Sequence, residues 1–295
     1  MTSPPSTSTI HDIGYRRYEG PRLGAGYIAR SLYVSTLRGA FGLGRSTKSK
    51  VFPAILLVLM IVPAVIIVAA ALLTGDDALS VTYPSYAMRL SAVTMVFLGS
   101  QSPVAVSRDL RFRLVSLYFA RPISRRAYVQ SKLAAMVTAV FVLMSAPLVV
   151  LYVGSLLGGM PLWDNAREFG QGVLGAAMFA IVLAPLALLI ASWTPRRGIG
   201  VVAIVIVFSV LASVSATVQG VAEEQGNETV AGWGGLISPF SLVDGIQVWL
   251  FNVDDSSVAG PPETIGGPVF ALVAVALVGL CYLLLLRRYR GVTRS

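Results

Sequence analysis

Residues Val51–Leu73 read VFPAILLVLMIVPAVIIVAAALL, an apolar run without a charged side chain. At about 1.5 Å of rise per residue, a helix of this length crosses a hydrocarbon core of about 30 Å. Further runs of similar length follow, and we interpret the whole set as six membrane spans, at Val51–Leu73, Ser85–Val106, Leu133–Leu157, Phe169–Ala191, Gly200–Val218 and Gly267–Leu286. The sequence therefore predicts an all-α membrane protein with six transmembrane helices in one domain, residues 20–290.

Charged residues are divided unequally between the two sides of the predicted membrane. With a cytoplasmic N-terminus, all of the 23 lysines and arginines except Arg89 and Arg167 lie on the cytoplasmic side. Of the 14 acidic residues, only Asp12, Glu19 and Asp109 lie there. This asymmetry follows the positive-inside rule, so we expect both termini in the cytoplasm.

Composition argues against a soluble or nucleic-acid-binding protein. The chain is 55% hydrophobic and 13% charged, whereas soluble domains carry about 25% charged residues. The net charge of +9 comes from basic residues that flank the spans, where they lie near anionic lipid headgroups. Since no soluble basic domain is present to form a binding patch, we expect membrane lipid and no nucleic acid as a partner.

Residues for intramembrane catalysis are scarce. Such catalysis needs a base, a metal or paired carboxylates at depth, but the only histidine is His11 and the only cysteine is Cys281. The sequence also contains no GxxxxGK[ST] phosphate loop. We therefore expect no enzyme activity, cofactor or metal in this chain, and any ATP hydrolysis on a separate polypeptide.

Ionisable residues are predicted to lie near the ends of the spans. Arg89, Arg167 and Glu168 are close to the outer ends, and the span centres hold neutral polar residues such as Gln101 and Ser145. Ion-coupled transporters keep ionisable groups near the midplane. This pattern argues against proton coupling but leaves open a sodium site built from carbonyl and hydroxyl oxygens.

Segments outside the spans have their own patterns. Residues 1–19 are rich in Ser, Thr and Pro, which predicts a disordered cytoplasmic tail. Basic and aromatic residues between 20 and 50 predict an interfacial helix before span 1. The segment 232–251 is apolar with helical spacing but too short to cross the membrane, so we predict an outer re-entrant element, capped or turned at Ser238-Pro239.

Span 3 contains Gly154 and Gly158 in a GxxxG pattern, which permits close helix approach and which we interpret as packing. Spans 1, 3 and 4 contain prolines, which membrane helices tolerate when their neighbours satisfy the freed carbonyl groups.

The cytoplasmic segment Ser107–Lys132 reads SRDLRFRLVSLYFARPISRRAYVQSK, longer and more basic than a turn requires. On a helical wheel its first part has two apolar stripes, whereas a helix at a membrane surface needs one. The second stripe indicates burial against another subunit. Arg121-Pro122 ends this helix, because the residue before proline avoids the α region, and Ser124 is the predicted N-cap of the next one. The alternative interpretation is a solvated basic loop.

These residues also carry a resemblance to a known family. The chain resembles ABC-2 type permeases, the membrane subunits of ATP-binding-cassette exporters, in its six-span layout and at Arg108-Asp109, Leu117-Tyr118, Ala120-Arg121-Pro122-Ile123-Ser124-Arg125, Tyr128 and Lys132. The step Ile237-Ser238-Pro239-Phe240 is a second, weaker match. Asp109 is a departure, since many family members carry glutamate there, followed by a turn that contains glycine.

The resemblance implies a bacterial plasma-membrane exporter, in which two permeases, identical or related, form the path and separate ATPase subunits bind ATP and Mg²⁺. Residues 107–132 would be the coupling loop, and 232–251 would lie near the outer gate. The residues that would contact the ATPase are Asp109, Phe112, Arg113, Leu117, Tyr118, Arg121, Pro122, Ser124 and Tyr128. The residues of the outer gate would be Pro239 and Phe240.

Two other classes of function stay open. The chain could be a multi-pass scaffold or sensor whose cytoplasmic loop binds a partner other than an ATPase, or an ion-coupled secondary transporter. The sequence indicates no particular substrate, because the spans are apolar with scattered Ser, Thr and Gly.

Overall fold

The computed structural model describes residues 20, 24–44, 46–75, 78–111, 123–194, 196–252, 259–262 and 265–291, and it leaves out the side chains of 107–111 and 291. The structure is 87% helical, with no strand in these ranges. The predicted tail 1–19 lies outside the described residues.

The helices in the described ranges are α1 (Ala25–Ala40), α2 (Thr47–Thr74), α3 (Tyr83–Arg89), α4 (Ser91–Arg111), α5 (Arg125–Leu157), α6 (Leu162–Trp193), α7 (Arg197–Glu224), α8 (Glu228–Gly234), a 3₁₀ turn (Gly235–Ile237), α9 (Pro239–Phe251) and α10 (Gly266–Gly291). We call α8, the 3₁₀ turn and α9, residues 228–251, the inserted segment. Five helices in these ranges, α2, α5, α6, α7 and α10, are long and apolar enough to cross a membrane. The chain is therefore an all-α, multi-pass membrane protein.

The long helices form one bundle, and their termini are grouped at its two ends. At one end, the start of α5 lies beside the end of α4. The Lys132 ammonium of α5 is 2.8 Å from the Ala105 carbonyl oxygen of α4. The ends of α6 and α10 also meet there, since Arg288 Nε lies 3.4 Å from the Ser192 carbonyl oxygen. We call this the basic end because the helix termini there carry lysines and arginines: Lys48, Lys50, Arg125, Arg126, Arg196, Arg197, Arg287, Arg288 and Arg290. The opposite, acidic end carries Asp164, Glu168, Glu223, Glu224 and Glu228.

The predicted second span is not one continuous helix. The structure divides Ser85–Val106 at Leu90 into α3 and α4. The reason is that the Tyr86 hydroxyl donates to the Met60 carbonyl oxygen of α2 at 2.6 Å, which ties α3 to α2. Helix α3 packs mainly on α6, and α4 runs along both α6 and α7. Its apolar part, Ser91–Val106, is shorter than the five long helices.

The connection between α5 and α6, which correspond to predicted spans 3 and 4, is also shorter than predicted. We expect an outer loop over Gly158–Glu168, but α6 already begins at Leu162, directly after Pro161. Asp164 lies in its first turn, where a carboxylate interacts favourably with the helix dipole. The helix therefore extends beyond the apolar run, because polar side chains continue it outside the hydrocarbon layer.

Helix α1 occupies the segment for which the sequence predicts an interfacial helix. The Tyr33 hydroxyl donates to Thr138 Oγ1 of α5 at 3.0 Å. Just beyond its end, the Phe41 ring lies 5.8 Å from the Phe97 ring of α4. Helix α1 therefore lies across α4 and α5, and its contact with Thr138 is in the half of α5 nearest the basic end.

The inserted segment reaches the middle of the bundle. The Phe240 ring lies 6.3 Å from Phe179 and 5.7 Å from Phe208, which are near the midpoints of α6 and α7. Towards the other end of α9, Gln247 lies against Gly175, which is closer to the acidic end of α6. Helix α9 therefore begins at the bundle centre and runs back towards the acidic end.

The predicted glycine packing in span 3 is confirmed. A Cβ atom on Gly154 would overlap with the Val68 side chain of α2, and one on Gly158 would lie 3.1 Å from Leu72 Cδ2. The two glycines therefore allow α2 and α5 to approach closely.

Replacing Gly154 by valine should force α2 away from α5 and lower the unfolding free energy by about 1–3 kcal/mol. The measurement is denaturation of the purified protein in mixed micelles. The matched control is Gly279→Val, since a Cβ atom on Gly279 meets no atom within 4 Å. Equal stability of the two variants would contradict the close packing of α2 on α5.

Candidate functional site

The residues predicted for ATPase contact lie largely outside the described part of the chain. This holds for Phe112, Arg113, Leu117, Tyr118, Arg121 and Pro122. Asp109 falls within α4, but its side chain is not described. The structure therefore gives the positions of the two helices that flank the predicted coupling loop, and the loop itself stays a prediction.

Ser124 and Tyr128 are described and differ in exposure. Ser124 is exposed and its Oγ accepts a hydrogen bond from the Ala127 amide at 3.1 Å, which confirms the predicted N-cap of α5. Tyr128 is fully buried, with its ring 5.2 Å from that of Tyr289 in α10. Tyr128 therefore packs α5 against α10 at the basic end, and its contact with an ATPase stays a prediction.

A buried lysine joins the helices on either side of the predicted coupling loop. Lys132 of α5 is 8% exposed, and its ammonium donates to the Ala105 carbonyl oxygen of α4. The same ammonium lies 5.7 Å from the centre of the Tyr128 ring, within the range of a cation–π interaction. A charge-assisted hydrogen bond of this kind is stronger than a neutral one. The Lys132 side chain therefore holds the start of α5 against the last turns of α4.

The predicted gate residues lie at the deepest point of the inserted segment. Pro239 is the first residue of α9, and the Ser238 Oγ accepts a hydrogen bond from the Phe240 amide at 3.3 Å. The predicted cap at Ser238-Pro239 is thereby confirmed. Phe240 is 3% exposed and closes the space between Phe179 and Phe208.

Replacing Phe240 by alanine should leave a cavity between α6, α7 and α9 and lower the unfolding free energy by about 3–5 kcal/mol. Denaturation in mixed micelles measures this loss. Phe251 is half-buried at the other end of the same helix, so Phe251→Ala is the matched control. It should lower the unfolding free energy by less. If both variants lost the same stability, the central packing of Phe240 would be disproved.

A second set of polar groups lies on the side of α9 that faces α6. Asp244 and Gln247 are 4% and 1% exposed, and they follow Phe240 at helical spacing. Neither amide atom of Gln247 has a hydrogen-bond partner among the described residues. Since Phe240 lies level with the midpoint of α6, Asp244 is near the bundle centre. Asp244 belongs to none of the predicted spans, and the inserted segment carries it inward.

A cleft of about 390 Å³ lies between α3, α4, α7 and the start of α9. Its lining combines hydroxyl groups and an amide with small and apolar side chains: Met88, Ser91, Ala92, Met95, Ser209, Ala212, Ser213, Ala216, Gln219, Ser238, Phe240 and Ser241. None of these residues is charged. Ala92, Ser213 and Ala216 are exposed, so the cleft opens to the side of the bundle.

Sequence reasoning did not identify this cleft. The only signal was the spacing of Ser209, Ser213 and Ala216, which places small residues on one face of α7. That face becomes a cleft wall only because α4 and α9 lie opposite it. Of the predicted gate residues, Phe240 lines the cleft.

Among the described residues, no group of three or more His, Cys, Asp or Glu side chains is placed to hold a metal ion. No protein-family model matches this chain, and a search of curated proteins finds no match. The resemblance to ABC-2 permeases therefore stays a prediction from the residues that carry it.

Proposed function

We propose that this chain is the permease subunit of a bacterial ABC exporter in the plasma membrane. In this proposal the chain crosses the membrane six times, with α3 and α4 together forming the second crossing. Both termini and the basic end are cytoplasmic, in accord with the positive-inside rule. The inserted segment is then a re-entrant element that enters from the outer side.

The observation that carries the proposal is the polar cleft beside the start of α9. Hydroxyl groups near the depth of Phe240 would be costly in a protein that only spans the membrane, because lipid offers them no hydrogen bonds. A path for substrate makes use of such groups. The cleft opens sideways on α4 and α7, and a second permease copy packed on that face would enclose it.

The energy source in this proposal is a separate ATPase. The chain has no phosphate loop of its own, and the basic segment 107–132 connects α4 to α5. ATP binding would bring two ATPase subunits together and move this segment. The Lys132 contact with Ala105 would pass that movement to α4 and α5 as a unit. Helix α4 also lines the cleft, so the same movement would change its width.

The direct test is to co-express the chain with an ATPase encoded beside its gene and to purify through a tag on the permease. We expect stoichiometric co-elution and vanadate-sensitive ATP turnover. A permease that purifies alone in every mild detergent would contradict the proposal and favour the scaffold or the secondary transporter.

In that complex, alanine at both Tyr118 and Arg121 should uncouple ATP hydrolysis from transport, because these residues are predicted to lie in the ATPase groove. The measurement compares ATP turnover with transport in proteoliposomes. Arg126→Ala, an exposed basic residue in the first turn of α5, is the matched control. Coupling that survives the double change at normal expression would disprove the docking assignment.

Asp244 supports a second candidate, an ion-coupled secondary transporter. A buried carboxyl group near the bundle centre is the kind of residue that binds a coupling ion in such proteins. In ATP-free proteoliposomes, this candidate predicts proton or sodium movement after an ion jump, and Asp244→Asn should abolish it. If the chain is an exporter subunit, we expect no proton or sodium movement after the ion jump in the wild-type protein.

A further inference from the structure

Helix α1 presents a basic face away from the bundle. Its buried residues, Leu32, Thr36 and Ala40, recur every four residues and lie on the side that packs on α4 and α5. Arg30 and Arg38 lie on the opposite, exposed side. Neither arginine has a hydrogen bond or an ion pair with another residue in the part of the chain that the structure describes. The bundle therefore uses one face of α1, and no described residue neutralises the other.

The basic face of α1 contains a shallow groove of about 330 Å³. All of its lining residues belong to this helix: Tyr27, Arg30, Ser31, Val34, Ser35 and Arg38. The two arginines are eight residues apart, about 12 Å along the helix, with Val34 between them. A guanidinium group binds phosphate oxygens through two parallel hydrogen bonds. The groove therefore combines two phosphate-binding groups with apolar surface, which suits an amphipathic anion.

The position of α1 along the bundle favours a lipid over a soluble anion. Tyr33 of α1 contacts Thr138 of α5, six residues beyond Lys132. At about 1.5 Å per residue, this contact lies about 9 Å deeper than the lysine and inside predicted span 3. Interfacial helices lie at a similar depth, at the boundary between headgroups and acyl chains. Tyr27 and Val34 are 57% and 38% exposed, and at this depth a lipid chain would cover them.

The acidic side chains that the structure describes are far from this groove. They lie at the acidic end or on the inserted segment: Asp164, Glu168, Glu223, Glu224, Glu228 and Asp244. The charge that complements the two arginines therefore comes from outside the described chain. Anionic phospholipids are the anions that a membrane supplies at this depth, and they attract basic residues near its surface.

We propose that the groove on α1 binds an anionic phospholipid of the leaflet at the basic end. The guanidinium groups of Arg30 and Arg38 bind the phosphate oxygens from two sides, and the first acyl methylenes lie on Tyr27 and Val34. The positive-inside rule assigns no such site, because any basic residue near the surface satisfies it. The inference goes beyond the proposed function, since it depends on the membrane position of α1 and needs neither an ATPase nor transport.

The experiment uses the full chain in phosphatidylcholine nanodiscs that contain a trace of a photoactivatable lipid. One probe is a phosphatidylglycerol and the other a phosphatidylcholine, with identical acyl chains and a diazirine at the same carbon near the ester. Mass spectrometry quantifies labelling of the peptide that contains α1. We expect the phosphatidylglycerol probe to label it at least tenfold more, because attraction of an anionic lipid is worth about fivefold for each of two arginines.

The matched variants are the double changes Arg30→Gln with Arg38→Gln, and Lys48→Gln with Lys50→Gln. Both remove two exposed positive charges at the basic end, but the lysines belong to α2 and do not line the groove. The arginine pair should lower phosphatidylglycerol labelling of α1 to within about twofold of the phosphatidylcholine probe, whereas the lysine pair should change it by less than about twofold. Thermal stability in phosphatidylcholine should stay equal in both variants, because exposed arginines without a described partner contribute little to it.

Equal labelling of α1 by the two probes in the wild-type chain would overturn the inference, whether or not a variant folds. An equal loss in the two double variants would also overturn it, because it would show unspecific attraction to surface charge. So would displacement of the probe by inorganic phosphate but not by chloride at the same ionic strength, since the site would then be one for a soluble anion. Co-elution with an ATPase but no selective labelling would disprove the inference alone. Selective labelling without an ATPase partner would disprove the exporter alone.

Discussion

Backbone groups at the centre of a membrane bundle must find hydrogen bonds within the protein, because hydrocarbon offers none. The inserted segment turns at that depth, so the rest of the structure has to meet this need. Ser238 caps the amide of Phe240, and the Ser215 hydroxyl of α7 donates to the Gly234 carbonyl oxygen at 2.9 Å. The rings of Phe179 and Phe208 pack against Phe240 and keep lipid out of the turn. The turn at Ser238 is therefore satisfied and packed by residues of α6, α7 and α9.

Close packing of this segment depends on glycines in the helices around it. A Cβ atom on Gly175 of α6 would overlap with the Gln247 amide, and one on Gly267 of α10 would overlap with the Trp249 ring. Dispersion and shape, rather than a hydrophobic force, drive helix association in lipid, so small residues at contacts are favourable. These glycines surround α9 and leave the cleft beside α4 as the open side of the segment.

The two ends of the bundle are held in different ways. At the basic end, Lys132 joins α4 to α5, and Tyr128 packs α5 on Tyr289 of α10. Towards the acidic end, the cleft is bounded by α4 and α7, with a weak contact of 3.4 Å between Ser209 Oγ and Met95 Sδ. Helix α4 therefore has a polar contact with α5 near the basic end and an open cleft further along its length.

Residue type and order determined the all-α class, because long apolar runs can satisfy their backbone in lipid only as helices. They also determined the cap at Ser124, the turn at Ser238 and the glycine contacts of α5, since each depends on a local residue and its spacing. Tertiary structure decided the break at Leu90, because Tyr86 finds its acceptor 26 residues away in α2. It likewise decided the depth of Asp244 and the cleft beside Gln219, since these positions depend on how far the inserted segment enters the bundle, and no local pattern in the chain encodes that distance.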